Sequence, residues 1–145
     1  MAALELIENL TERAWAEIED KIMYALKTFI EELLEEELTQ RLGADRYERT
    51  EERMGYRGGH YRRGLTTRFG HIGDLRMPRP AQGPAPFTLF ERYERRRWDV
   101  DAGIGRLFLL GVSTRKIKGV VKDITGIPVS GKTVSRITAC LEEEP

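Results

Sequence analysis

The eight residues Gly126–Thr133, GIPVSGKT, fit the phosphate-loop pattern G-x-x-x-x-G-K-T letter for letter. That chemistry needs a strand before the loop, a helix after it whose N-terminus faces phosphate, and a sheet carrying a magnesium-binding Asp. Here the residues before Gly126 have helical periodicity, and the twelve residues after Thr133 are too few for a parallel sheet. Nucleotide is therefore not an expected partner. Other catalytic patterns fare no better. Cys140 is the single cysteine, which excludes an internal disulfide, and with His60 and His71 alone beside it no zinc cluster is expected. Glu31, Glu32, Glu35, Glu36 and Glu37 are scattered around a helix and read as a solvated face. His71 reads as a turn residue, with no catalytic partner near it in sequence. No nucleophile–base pair and no metal-ligand spacing is found, so no catalytic residue, metal or cofactor is expected.

The chemistry that remains is cationic. Lys132 and Arg136 stand four residues apart, off the stripe Val134, Ile137 and Leu141, with Thr133 and Cys140 flanking them. Four-residue spacing puts both cations on one helix face. Ser130 is placed to cap that helix. A preceding helix has Ile117, Val120, Val121 and Ile124 as its apolar stripe, with Arg115, Lys116, Lys118 and Lys122 off it. Ser113 should cap its start, and Gly126 then Pro128 should stop it. A third segment, Val100, Ile104, Leu107 and Phe108, begins near Asp99 or Asp101 and ends at Gly111. Together these predict a trihelical helix-turn-helix over 98–145, whose last helix enters a DNA major groove. A helix pair that merely packs is the plainer alternative.

Further back, ADRYERTEERMGYRGGHYRR mixes Arg, Tyr and Gly. Gly55, Gly58 and Gly59 disfavour a helix, so this reads as a loop. Arg57, Arg62 and Arg63 with Tyr56 and Tyr61 suit phosphate and sugar or base. Gly64–Pro80 reads as a β-hairpin: Leu65, Thr67 and Phe69 alternate, Gly70-His71 turns, Gly73 marks a bulge, and Pro78 ends the return strand. Arg68, Arg76 and Arg79 add charge there. Arg79–Phe87 is a Pro/Gly linker, and Phe90–Trp98 concentrates Arg92, Arg95, Arg96 and Arg97, with Glu91 and Glu94 as alternative partners.

Met1–Leu42 is helical by pattern, with Ile18, Ile22, Ala25, Leu26, Phe29, Ile30 and Leu33 in three- and four-residue steps and Gly43 as its stop. Trp15, Tyr24, Leu34 and Leu38 widen the stripe. Ile7, Leu10 and Ala14 continue it or form a short preceding helix. One helix of that length would run ~60 Å at ~1.5 Å per residue, too long to bury against the remainder. Pairing in a homodimer and packing on the chain's own helices are the two readings.

The net charge of zero conceals a division. Met1–Asp45 has twelve acids against four bases, Arg46–Arg97 thirteen bases against six acids, and Trp98–Leu141 seven bases against three acids. Glu142–Glu144 supplies an acidic tail. An acidic end for structure or partners and a basic end for a polyanion follow. No apolar run reaches membrane-spanning length and no signal-peptide layout opens the chain, so a cytoplasmic protein with no membrane partner is expected.

Leu33–Gly70 (LLEEELTQRLGADRYERTEERMGYRGGHYRRGLTTRFG), MPRP, LFERYERRRW and GVSTRKIKGVVKDITG resemble the N-terminal half of Mutator-type transposases of bacterial insertion sequences. The resemblance runs from about Phe29 to Glu144. It implies a DNA-binding region that recognises terminal inverted repeats of a mobile element. The segment HIGDLRM departs from the clean alternation of the family's return strand. The family's ribonuclease-H-like catalytic domain, with three carboxylates and two metals, has no counterpart in this sequence, and Asp99, Asp101 and Asp123 match none of those acids. The chain would then be a truncated gene product, a cut piece or a freestanding remnant.

The expectation is an α+β, mostly helical protein: 1–45 acidic helical region for dimerisation or packing, 46–80 Arg/Gly-rich loop and hairpin, 81–97 linker and basic segment, 98–145 helix-turn-helix. Its expected function is the DNA-binding portion of a transposase. Arg57, Arg62, Arg63, Arg68, Arg115 and Lys116 are expected on phosphates, and Lys132, Thr133 and Arg136 at or near base edges. Double-stranded DNA is the expected partner, with a second copy or a full-length transposase. A dimerising inhibitor and a helix-turn-helix transcriptional regulator are the alternatives.

Overall fold

The computed structural model describes residues 1–83, 87–89 and 94–142. Residues 84–86 of the linker, 90–93 of the basic segment with Arg92 among them, and 143–144 of the acidic tail lie outside the described residues. The fold is α+β and mostly helical. Helix α1 (Ala2–Leu42) leads to strands β1 (Arg57–Thr67) and β2 (Gly70–Pro80), then α2 (Trp98–Leu109), α3 (Thr114–Thr125) and α4 (Gly131–Glu142).

Helix α1 is a single helix from its first turn, with no separate helix before Ala14. It ends where Gly43 takes the left-handed conformation (φ 68°) and its N–H reaches Thr39 O. Only its C-terminal half is covered. Leu34, Leu38 and Leu42 are buried, and Leu34 joins Leu65, Ile72, Leu75 and Met77 of the hairpin in one core. Met23, Leu26 and Ile30 lean on that core. The expected stripe is thus corrected: Ile18, Ile22 and Phe29 are exposed, as are Trp15 and Tyr24. A straight helix longer than the hairpin it lies on runs off the end of its partner. The expected solvated acidic face is corrected too. Glu31 Oε1 accepts from Arg76 N at 2.8 Å, Glu37 Oε1 accepts from Thr88 N at 2.7 Å, and Glu35 pairs with His60. Glu31 thereby satisfies a strand donor that a two-stranded sheet leaves without a neighbouring strand.

The hairpin starts earlier, turns earlier and ends later than expected. Arg57–Arg63 is strand rather than loop, because glycine propensity yields to a full partner strand. Gly58 and Gly59 form a bulge opposite Arg79, where Gly59 has φ 79°. The turn is Arg68-Phe69, since Gly70 already pairs with Thr67. Thr67 closes it: its hydroxyl donates to Gly70 O at 2.9 Å and accepts from Phe69 N at 3.2 Å. His71 accordingly sits in β2, opposite Thr66. The bulge expected at Gly73 is found, with Gly73 and Asp74 opposing Gly64. Pro78 does not end β2, which runs to Pro80. Both strands of a two-stranded sheet are edges, where proline is tolerated.

Helices α2, α3 and α4 share a second core of Ile104, Ile117, Val121, Val129 and Val134. Ser113 caps α3 by accepting from Lys116 N at 3.3 Å, and Gly126 (φ 76°) ends it, both as expected. The α3 stripe is corrected to Ile117, Val121 and Thr125; Val120 and Ile124 face outward. In α4, Val134 and Thr138 are buried, and Leu141 is part-exposed beside Gly105. The Thr125 hydroxyl donates to Val121 O at 2.7 Å, so this stripe tolerates a polar group at its end. Residues 126–130 join α3 to α4, so a helix stands before GIPVSGKT where a phosphate loop needs a strand.

Candidate nucleic-acid interface

The cations divide into two sets by what they touch. On the helical unit, Arg115, Lys116, Lys118 and Lys122 of α3 and Lys132 and Arg136 of α4 are exposed. None of their side chains has a partner among the described residues. Local sequence explains the placement. Ser113 and Gly126 fix α3, and burial of Ile117 and Val121 turns its basic face out. In α4, Ser130 Oγ accepts from Thr133 N at 3.1 Å and lies 3.0 Å from the Thr133 hydroxyl. That cap starts the helix, and burial of Val134 directs Lys132 and Arg136 to solvent. Thr133 is half-buried, and its hydroxyl is already engaged by Ser130.

The hairpin set is largely paired within the molecule. Arg57 Nη2 donates to Thr39 Oγ1 at 2.6 Å, and its Nη1 is buried without a hydrogen-bond partner among the described residues. Arg62 pairs with Asp74 at 2.7 Å, both exposed. Arg68 donates to Asp99 Oδ2 at 2.7 Å and its guanidinium lies 6.0 Å from the Phe69 ring centre. That hydrogen bond holds the Asp99 carboxyl below its ordinary value, opposed by burial and aided by the positive charge of Arg68 itself. The pair ties the hairpin turn to the first turn of α2. Arg63 is half-buried on β1. Among the described residues no group of three or more His, Cys, Asp or Glu is placed to hold a metal ion.

The fold also gathers cations that the sequence leaves apart. A cleft of about 1390 Å³ separates the hairpin from the α3–α4 turn. The hairpin contributes Arg63, His71 and Arg79 to its lining, the approach to α2 contributes Arg95 and Arg96, and the α3–α4 turn contributes Ile127 and Pro128. Backbone pairing builds it: Thr66 N donates to Arg95 O at 2.8 Å and Arg97 N to Thr66 O at 2.9 Å. Arg79 and Arg95 are visible in the sequence as cations. Nothing in their spacing, with a linker between them, announces that they face one space.

A sequence model of the family described as "Transposase, Mutator family" matches residues 2–144. The chain is 40% identical over 124 residues to the transposase for insertion sequence element ISRM5 of Rhizobium meliloti, covering 86% of this chain and 31% of that protein. It is 39% identical over 117 residues to the transposase for IS256 in transposon Tn4001 of Staphylococcus aureus, covering 81% and 30%. It is 29% identical over 140 residues to the transposase for IS905 of Lactococcus lactis, covering 96% and 35%. The chain thus spans about a third of the length of the curated relatives it matches.

Proposed function

The chain belongs to the Mutator family of transposases, and from that premise we propose that it is a DNA-binding portion of such a transposase, recognising the terminal inverted repeats of an insertion element. The observation that carries this reading is the unpartnered row of cations on α3 and α4, held outward by the buried stripes beneath. In the reading α2, α3 and α4 are a helix-turn-helix, with α4 entering the major groove and α2 as its support. Arg136 and Lys132 reach base edges or adjacent phosphates, and Thr133 serves the helix start. An Arg–guanine bidentate pair supplies ~1–3 kcal/mol of discrimination. Arg115 and Lys116 hold phosphates, with Arg62 and Arg63 on the hairpin face. Arg57 and Arg68, tied to Thr39 and Asp99, contribute by fixing the hairpin against α1 and α2. The 145-residue chain does not cut DNA by itself in this reading. A magnesium or manganese nuclease assay checks that directly, and strand breakage that survives rigorous purification would refute it.

The single-residue test is Arg136→Ala. It should weaken binding to a terminal-repeat duplex by about tenfold or more while changing random-duplex affinity little. Equal loss on both would make Arg136 a backbone contact. Arg62→Ala with Arg63→Ala should instead weaken both duplexes alike and flatten the salt slope by ~0.9 for each phosphate the variant no longer neutralises.

A second role is favoured by α1. Residues 2–22 of that helix are exposed throughout, and Ile7, Leu10, Ala14, Ile18 and Ile22 recur in steps of three or four. In this reading a second copy of the chain, or a longer transposase, covers that face as a paired helix. The chain then works as an assembly partner as well as a DNA reader.

A further inference from the structure

The cleft between the hairpin and the α3–α4 turn is unlike the rest of the basic surface. Among the described residues its lining carries four arginines, Arg63, Arg79, Arg95 and Arg96, together with His71, and no acidic residue. Arg96 Nε donates to the Asp101 carboxylate at 2.7 Å, and Arg79 Nε donates to the neutral Gly58 O at 2.8 Å, which leaves the Arg79 charge in place. The Arg95 side chain is exposed and has no partner among the described residues. His71 is held in place, its Nδ1 2.9 Å from the Thr66 hydroxyl. Its ring packs over Gly64, where an added Cβ would come within 2.9 Å of Cε1.

The part of the lining that comes from α3 and the α3–α4 turn is apolar: Val121, Ile127, Pro128 and Val129. Ile127 is 39% exposed and Pro128 is exposed, both in the turn that follows α3. Thr125 ties the turn to the end of α3, its Oγ1 lying 3.1 Å from Ile127 O and 3.3 Å from Ile127 N. A duplex offers its surroundings phosphate, sugar and base edges, with its base faces stacked inward. An apolar lining beside cations therefore meets no base face of a duplex. An unpaired strand has phosphates along one side and bare base faces along the other. Cationic grooves with apolar or aromatic platforms are how single strands are held without sequence preference.

We infer that this cleft is a binding site for unpaired nucleic acid, separate from the α4 surface. Arg95 and Arg79 take successive phosphates, and His71 donates to a phosphate from Nε2 with Thr66 fixing its ring. Bases lie on Ile127 and Pro128. The inference shares with the proposed function only the premise that nucleic acid is the ligand.

The experiment is fluorescence anisotropy of the 145-residue chain at low salt with two probes. One is an oligothymidylate of about 12 nucleotides, within the span such grooves cover, and the other a terminal-repeat duplex. Wild-type chain should bind both. Arg95→Ala and Ile127→Ala should each weaken oligothymidylate binding by about fivefold to tenfold and leave duplex affinity within about twofold. Both positions are solvent-facing, and unchanged thermal melting will show that the variants fold. Lys132→Ala with Arg136→Ala should do the reverse, weakening duplex and sparing oligothymidylate. Absence of oligothymidylate binding by the wild-type chain overturns the inference. So does an Arg95→Ala loss equal on both probes with no effect of Ile127→Ala, which would describe a groove for duplex backbone. Failure of the α4 double variant to affect duplex would count against the proposed function and leave this inference standing.

Discussion

Arg68 and Asp99 show how much one cation's surroundings decide. On sequence, Arg68 is one more arginine on a hairpin. In the fold it holds the start of α2, and its partner carboxyl is pushed below the ordinary value near 3.8, chiefly by that hydrogen bond. A depressed folded-state pKa contributes stability that is present above the unfolded value and lost as pH falls through the folded one. Acid unfolding should therefore steepen below about pH 4 in the wild-type chain. Asp99→Asn should remove that part of the pH dependence. Arg68→Ala should cost about 0.2–1 kcal/mol near neutrality, as exposed pairs do. Urea titrations at neutral and acid pH measure both. A larger neutral-pH loss would mean that the hairpin and α2 depend on this tie for their docking. Such long-range pairs are not legible in the sequence, because thirty-one residues separate the partners. By contrast the local devices are. Ser113, Ser130, Gly43 and Gly126 act within one helical turn, and their chemistry fixes helix ends wherever the helix goes.

At the scale of elements, the hairpin departs from its sequence pattern at its start, its turn and its end for one reason. Strand propensity describes residues singly, whereas Arg57–Arg63 is a strand because β2 lies beside it. The two glycines there serve the bulge. An added Cβ at Gly58 would come within 2.7 Å of Pro80 O and 2.9 Å of Ala81 Cα, both backbone atoms that cannot swing aside. Gly58→Ala should thus destabilise the chain by about 1–3 kcal/mol. Chemical denaturation checks it, and a neutral result would show that the bulge relaxes freely. Helix α1 offers a sharper contrast. Its period is plain in sequence, but a period cannot say which half of a long helix finds a partner. Leu34→Ala, at the centre of the hairpin core, should cost about 2–5 kcal/mol. Ile7→Ser on the exposed half should leave the fold of the single chain unchanged, within about 0.5 kcal/mol.

For the whole molecule, the charge division along the sequence becomes a division in space. The acidic helix partly neutralises the hairpin it lies on, through Glu31 and Glu35. Six of the cations left without protein partners among the described residues stand on α3 and α4, and Arg95 is another. A net charge of zero therefore describes no surface of this protein. If α1 pairs with a second copy, sedimentation should find dimers that Ile7→Ser with Ile18→Ser converts to monomers. Monomeric wild-type chain at tens of micromolar would end that part of the proposal.

The central claim is that the outward row on α3 and α4 lies against a double helix. Its most direct test is the salt dependence of duplex binding, measured by titrating terminal-repeat and scrambled duplexes with wild-type chain and with the double variant Lys132→Ala, Arg136→Ala. The wild-type chain should prefer the terminal repeat, with a slope of roughly −0.9 per phosphate held. The double variant should lose the preference while keeping most of its affinity for scrambled sequence. A wild-type chain that binds neither duplex at low ionic strength, or a double variant that keeps full preference, would contradict the account.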